Sequence, residues 1–332
     1  MIVSASADKT IKIWNAKSRK IIKTLTGHVG EVEYVNFSPN GELVASASAD
    51  KTIKIWNIKT GKIIKTLIGH SDVIDFVIFS PDGQLIASAS YDGTIKIWKS
   101  KTGAIIHTLK GYSYWANSLS FSPNGQFLTA SIADNTIRTW NVKTGEMTQV
   151  LNGHSDIVYS VNFSPNGELI ASASADRTIR IWDVKLGKTI HILKGHTELI
   201  SSVVFSPNGK IIASTSADET VKIWNVKTGK IIKTLKGHSS WGNCVDFSPD
   251  GKIIASVSYD NTMKIWNAKT GEIIQTVNGR LDWTNSLSFS PNGTLIAFPN
   301  DDDFVKIWSI KTGKVIRTLK GHYYPVHSLD FS

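Results

Sequence analysis

The sequence predicts an all-β fold built from one four-stranded unit repeated along the whole chain, and three observations predict it. Tryptophan recurs every 42 residues, at Trp14, Trp56, Trp98, Trp140, Trp182, Trp224, Trp266 and Trp308, with no insertion in the count. Glycine keeps the same period from Gly27 to Gly321, and histidine follows it in six of the eight places. Each period also reads as four short β-branched segments separated by turn residues, with almost no helical spacing.

The repeat from Gly27 to His70 shows each element in order. Val32, Val35 and Phe37 make an inner strand that runs into Ser38-Pro39-Asn40-Gly41, a turn because proline presets φ and Asn-Gly tolerates positive φ. The second strand, "ELVASASA", ends at a turn around Asp50-Lys51; the third is "TIKIW". A further turn at Lys59-Thr60-Gly61 leads to the outer strand, "KIIKTL". Turns this short force neighbouring strands into an antiparallel meander. A four-stranded meander repeated at this period predicts a β-propeller.

Arithmetic sets the number of blades at eight. Eight periods overrun the 332 residues by four, and the missing four are the Ser-Pro-Asn/Asp-Gly turn that would follow Ser332. The expected architecture is a single eight-bladed propeller over 1–332. Its closing blade takes an inner strand from 322–332 and three strands from 1–26, which removes the open sheet edges of a linear array. Both ends fall inside a repeat, so the alternative to the closed ring is a crop from a longer array or from a multidomain signalling protein.

Composition excludes several function classes. No apolar run approaches the ~20 residues of a membrane helix, and the first residues lack the basic start and apolar segment of an export signal. The lone Cys244 cannot form an internal disulfide, which fits a reducing compartment, so a cytoplasmic location without membrane association is expected. Outside the Gly-His positions only His107, His191 and His327 remain, widely spaced, and "KTGK" joins two strands rather than opening a helix. No metal and no cofactor are expected.

Gly-His, aspartate six residues before tryptophan, and serines in the preceding strand together make the chain resemble the WD-repeat propellers over essentially its full length. Trp182 alone is followed by aspartate, Asp183, while most of the others are followed by asparagine. The resemblance implies a buried hydrogen-bonded network in six blades: His28, Asp50 and Trp56; His70, Asp92 and Trp98; His154, Asp176 and Trp182; His196, Asp218 and Trp224; His238, Asp260 and Trp266; His322, Asp8 and Trp14. One serine of the second strand joins each, and in the Gly27 repeat it is either Ser46 or Ser48. His, Ser and Asp are also the ingredients of a nucleophilic triad, but a catalytic set occurs once and this one recurs six times. The chain is therefore expected not to be an enzyme.

Two repeats lose the pattern. Tyr112 and Arg280 replace histidine, with Ala130 and Ile132, then Phe298 and Asn300, in the serine places and Pro299 inside a strand. These repeats lie 168 residues apart and share "WANSLSFSPNG" from Trp115 and "WTNSLSFSPNG" from Trp283, as well as Tyr91 and Tyr259 just upstream. A doubled four-blade ancestor explains the spacing.

In a meander, the loops before the inner strand and the turns between second and third strands share one face. Tyr91, Trp115 and Asn117 are expected to cluster there, with Tyr259, Trp283 and Asn285 across the ring and Trp241 and Asn243 beside the latter. All three non-periodic tryptophans occupy this loop, and WD-repeat resemblance implies peptide or protein binding at such positions. The loop segments hold no lysine or arginine but do carry Glu31, Glu33, Asp72 and Asp75 among other acids, so a basic or neutral peptide or protein partner is expected. The net charge of +10 is spread along the opposite turns and outer strands without interleaved aromatics, which reads as a solubilising surface and not a nucleic-acid site. The function expected is a monomeric, non-catalytic interaction scaffold. The alternatives are a propeller binding nucleic acid on its basic face, or the sensor domain of a larger signalling protein.

Overall fold

The computed structural model describes every residue except 17, 19, 111–114, 280–285 and 301–302. Its strands form eight four-stranded antiparallel sheets, each in meander order. The chain is an eight-bladed β-propeller. Each blade is named here by its third-strand tryptophan, and the chain divides into two compact units, 1–115 with 282–332 and 116–281.

The first unit holds the Trp308, Trp14, Trp56 and Trp98 blades. In the Trp14 blade the inner strand is the C-terminal Val326–Phe331, which pairs with Ile2–Ser6 in the register Ile2↔Phe331 to Ser6↔Val326. Ile11–Trp14 and Ile21–Leu25 complete that sheet. Burial explains the pairing: Val326, Leu329 and Phe331 pack with Ile2, Trp14, Val305 and Ile307 in one apolar cluster. The second unit holds the Trp140, Trp182, Trp224 and Trp266 blades, with its own clusters around Trp182, Trp224 and Trp266.

Within each unit, side chains of one inner strand stitch to the next. In the first, the Val35 N–H donates to Ser328 Oγ at 3.4 Å, the Phe37 N–H to Asp330 Oδ2 at 2.9 Å, and the Phe79 N–H to Asn36 Oδ1 at 2.9 Å. In the second, the Val161 N–H donates to Ser118 Oγ at 3.3 Å and the Val203 N–H to Ser160 Oγ at 3.4 Å. An inner strand has an unpaired edge, and these bonds satisfy part of it.

Asp246 occupies the strand position of Asn36, Asn162 and Asp330, and burial pushes its carboxyl up to about 7 against the opposing bond from the Phe247 N–H. An acid raised in the folded state binds its proton more tightly there, so the stability it costs grows as pH rises from about 4 through 7. Asp246→Asn is expected to stabilise the fold by about 2 kcal/mol at pH 8 and to change little at pH 4.5, checked by thermal melts at both values. An equal change at the two pH values would contradict the assignment.

Close packing also links neighbouring blades through compensating sizes. Gly242 stands where its counterparts carry Val32, Ile74 or Ile200, and a Cβ there would fall 1.7 Å from Thr215 Oγ1. Thr215 is fully buried, and its hydroxyl fills the room that the glycine leaves.

The third-strand lysines do not all reach solvent. Lys12, Lys54, Lys96, Lys222 and Lys264 are buried, each Nζ donating to a fourth-strand threonine at 3.0–3.4 Å. Their aliphatic stems cover the sheet while the amine finds a hydroxyl, a compromise open to a long side chain.

The Trp308 blade is the most irregular of the eight among the described residues. Pro299 sits in the strand Leu295–Asn300 opposite Val305, and among the described residues the inner strand pairs with it at two positions, Ser288↔Ala297 and Phe289↔Ile296. Proline has no N–H to carry that ladder further.

Candidate functional site

Six blades contain the same chain of polar contacts. Histidine Nδ1 lies 2.7–2.8 Å from the aspartate Oδ2 in the pairs His28–Asp50, His70–Asp92, His154–Asp176, His196–Asp218, His238–Asp260 and His322–Asp8. Histidine Nε2 lies 2.8 Å from the hydroxyl of Ser46, Ser88, Ser172, Ser214, Ser256 and Ser4 respectively. That hydroxyl accepts the indole N–H of Trp56, Trp98, Trp182, Trp224, Trp266 or Trp14 at 2.8–2.9 Å. The first serine of each pair is thus the network member. The second caps the turn: Ser48 Oγ accepts the Asp50 N–H at 3.0 Å.

Bond directions fix the protonation. Burial lowers the His196 pKa more than Asp218 raises it, while burial of Asp218 is outweighed by the bonds from His196 and Thr220, which hold its carboxyl well below the usual range. The histidine is neutral, with Nδ1–H donating to aspartate and Nε2 accepting from serine. The serine oxygen is fully buried and already accepts from tryptophan. Nothing can approach it, so the geometry serves structure and not nucleophilic attack.

Two blades show what loss of the set does. In the Trp140 blade Thr129 Oγ1 donates to the Arg138 carbonyl at 3.1 Å and Arg138 pairs with Asp134 at 2.6 Å. In the Trp308 blade Phe298 fills the serine place, fully buried, and Trp308 Nε1 has no partner among the described residues.

The network also positions the loops. Aspartate Oδ2 takes the N–H of the residue after histidine, as from Val29 to Asp50 at 3.0 Å. The loop then crosses to the turn between second and third strands: Tyr91 N–H donates to the Val73 carbonyl at 3.0 Å and Tyr259 N–H to the Trp241 carbonyl at 2.9 Å. The second of these bonds joins the two members of an aromatic pair directly. In the first unit Tyr91 and Trp115 meet edge to face, centroids 6.0 Å apart at 71°, and are 50% and 45% exposed. In the second, Trp241, 52% exposed, lies 6.4 Å from Tyr259 at 58°.

The asparagines are placed differently from the rings. Asn117 is half-buried and its amide donates to the Val158 carbonyl at 3.1 Å; Asn243 is half-buried in the inner strand Gly242–Phe247. Trp283 and Asn285 lie outside the described residues. Tyr323 and Tyr324, 81% and 60% exposed, stand on the same kind of loop in the Trp14 blade. Sequence reading passed over them although they occupy loop positions filled by small or polar residues in other repeats, such as Ser71-Asp72 and Thr197-Glu198.

Carboxylates flank the first unit's pair. Glu33, Asp75 and His327 are each the second residue of an inner strand, and Asp75 is pushed up to about 6 by burial and then by the negative charge of Glu33. The Tyr91 hydroxyl is raised by burial and by both acids. His327 Nε2 lies 3.6 Å from Glu31 Oε2. In the second unit the same strand position carries Asn117, Tyr159, Ser201 and Asn243, all uncharged.

Comparison with known proteins agrees with this geometry. The "WD domain, G-beta repeat" family matches residues 1–15, 19–57, 61–99, 103–141 and 145–183, over half of the chain. The chain belongs to the WD40 family. Residues 183–332 match the "IFT122 first beta-propeller" family, so the two matches together run from end to end. A 41-residue segment is 49% identical to Nuclear distribution protein PAC1 of Mycosarcoma maydis, covering 12% of this chain and 9% of that protein. No helix among the described residues is long and apolar enough to cross a membrane. No group of three or more His, Cys, Asp or Glu among them is arranged to hold a metal ion.

Proposed function

We propose that the chain is a single, non-catalytic interaction domain that holds a peptide or protein partner on the loop face, with Tyr91 and Trp115 as one anchor and Trp241 and Tyr259 as another. The observation that carries this reading is the half-exposure of two tryptophan–tyrosine pairs. Eight other tryptophans are at most 1% exposed, so the fold has the means to bury this residue and leaves these two out. Large rigid aromatics supply much contact area for little lost rotamer freedom, which is why they dominate binding hot spots. The recurring His–Ser–Asp set supports a non-catalytic role, because each serine is sealed inside its blade. Membership of a family of propellers that serve widely as protein scaffolds agrees.

Trp115→Ala and Trp241→Ala are each expected to weaken partner binding by about 2 kcal/mol while leaving the melting temperature within a degree or two. Binding of the captured partner, measured by calorimetry beside a thermal melt of each variant, checks this. Normal binding with an early melt would make the rings structural and sink the proposal.

A further inference from the structure

The two aromatic pairs share a tyrosine position but differ in their surroundings. Tyr91 and Tyr259 stand 168 residues apart, and each meets a half-exposed tryptophan. Beside Tyr91 the inner strands present Glu33 and Asp75, with Glu31 further out, 53% exposed. Beside Tyr259 the corresponding strand carries Asn243. His327 is the imidazole that faces the acids, and no lysine or arginine occurs in the loop segments that lead into Glu33, Asp75 or His327. Two half-buried carboxylates hold the same position on the inner strands Val32–Phe37 and Ile74–Phe79; burial raises both, Glu33 raises Asp75 further, and His327 is the basic group that opposes this among the described residues. An aromatic face at their edge attracts a cation through its ring quadrupole.

Resting on the loop-face reading above, we infer that the Tyr91–Trp115 pair with Glu33 and Asp75 receives one cationic side chain, a lysine or arginine of the bound peptide. Charge complementarity selects this occupant over an acidic one, because an acidic side chain would meet two like charges in a partly desolvated mouth. Guanidinium suits the place best: it is planar enough to lie against Trp115 while donating to two carboxylates at once. The Trp241–Tyr259 pair has aromatic area without the charge and serves as the internal comparison.

The test uses full-length protein labelled with 5-fluorotryptophan, its ¹⁹F resonances for positions 115 and 241 assigned through single Trp→Phe variants. Acetyl-Gly-Arg-Gly-amide and acetyl-Gly-Gln-Gly-amide are titrated separately. The arginine peptide is expected to move the Trp115 resonance saturably, about tenfold tighter than the glutamine peptide. In Glu33→Gln/Asp75→Asn that preference should vanish, while the Trp241 response and the buried-tryptophan resonances stay as they were, the latter reporting an intact fold. Equal responses of Trp115 to both peptides would overturn the cation inference and leave the loop face standing. No response at either ring to either peptide would overturn both.

Discussion

Deleting Tyr323–Ser332 is expected to unfold the first unit. The deletion removes the inner strand Val326–Phe331 and its five-position register with Ile2–Ser6, so Ile2–Ser6 becomes an unpaired edge. It also strips Val326, Leu329 and Phe331, each under a tenth exposed, from the cluster they share with Trp14 and Ile307. Full burial of three such side chains contributes roughly 4.5–9 kcal/mol at 1.5–3 kcal/mol apiece. The stitches from Ser328 to Val35 and from Asp330 to Phe37 go with them, exposing the next blade. A loss of this size rivals the entire stability of a typical domain, about 5–15 kcal/mol. Limited proteolysis of the truncated chain should cut throughout 1–115 and 282–322 before 116–281. A truncated chain with an unchanged melting temperature would refute the closing role of this strand.

Ser214→Ala is expected to cost about 2–4 kcal/mol, because one hydroxyl serves two buried partners. It donates toward His196 Nε2 and accepts from Trp224 Nε1, both at 2.8 Å, and no water can take its place where exposure is zero. Ser216→Ala, two residues on, should cost less, about 1 kcal/mol: Ser216 Oγ accepts the Asp218 N–H and donates to the Glu198 carbonyl, both at 3.1 Å, but these are backbone groups of a part-buried turn and loop, so its loss resembles the loss of a cap and not the orphaning of two buried rings. Chemical denaturation of both variants at one pH measures the difference. If the two substitutions proved equal, the assignment of the first serine to the network would be wrong.

The distinction between those serines shows where sequence reading stopped. Residues two apart on a strand point to the same side, so Ser46 and Ser48 are indistinguishable by pattern. Only the position of the Trp56 indole, directly across the sheet where Val44 pairs with it, selects Ser46. The blade count, the four strands and their turns were legible because the period is uninterrupted and every turn carries its own chemistry. The aromatic pairs were partly legible. Tyr91 and Trp115 stood out as departures from a strict repeat, but Tyr259 meets Trp241 through a loop-to-turn backbone bond that no single-sequence pattern encodes. The burial of Lys54 against Thr66 was hidden for a similar reason. A lysine in an alternating strand reads as solvent-facing until its cross-strand partner on the outer strand, here Thr66, is seen to take its amine. Compensation between Gly242 and Thr215 needs two blades in contact, 27 residues apart in sequence, before either residue acquires a meaning.

The loop face itself is tested most directly by placing a photo-crosslinking amino acid, one variant at a time, at 115 and 241 and, for comparison, at the exposed turn positions 59 and 227 between third and fourth strands. After irradiation in native lysate, crosslinked peptides are mapped by mass spectrometry. Positions 115 and 241 should capture the same partner while 59 and 227 capture none of it. Capture of that partner from 59 or 227, with nothing from 115 and 241, would contradict binding on the loop face.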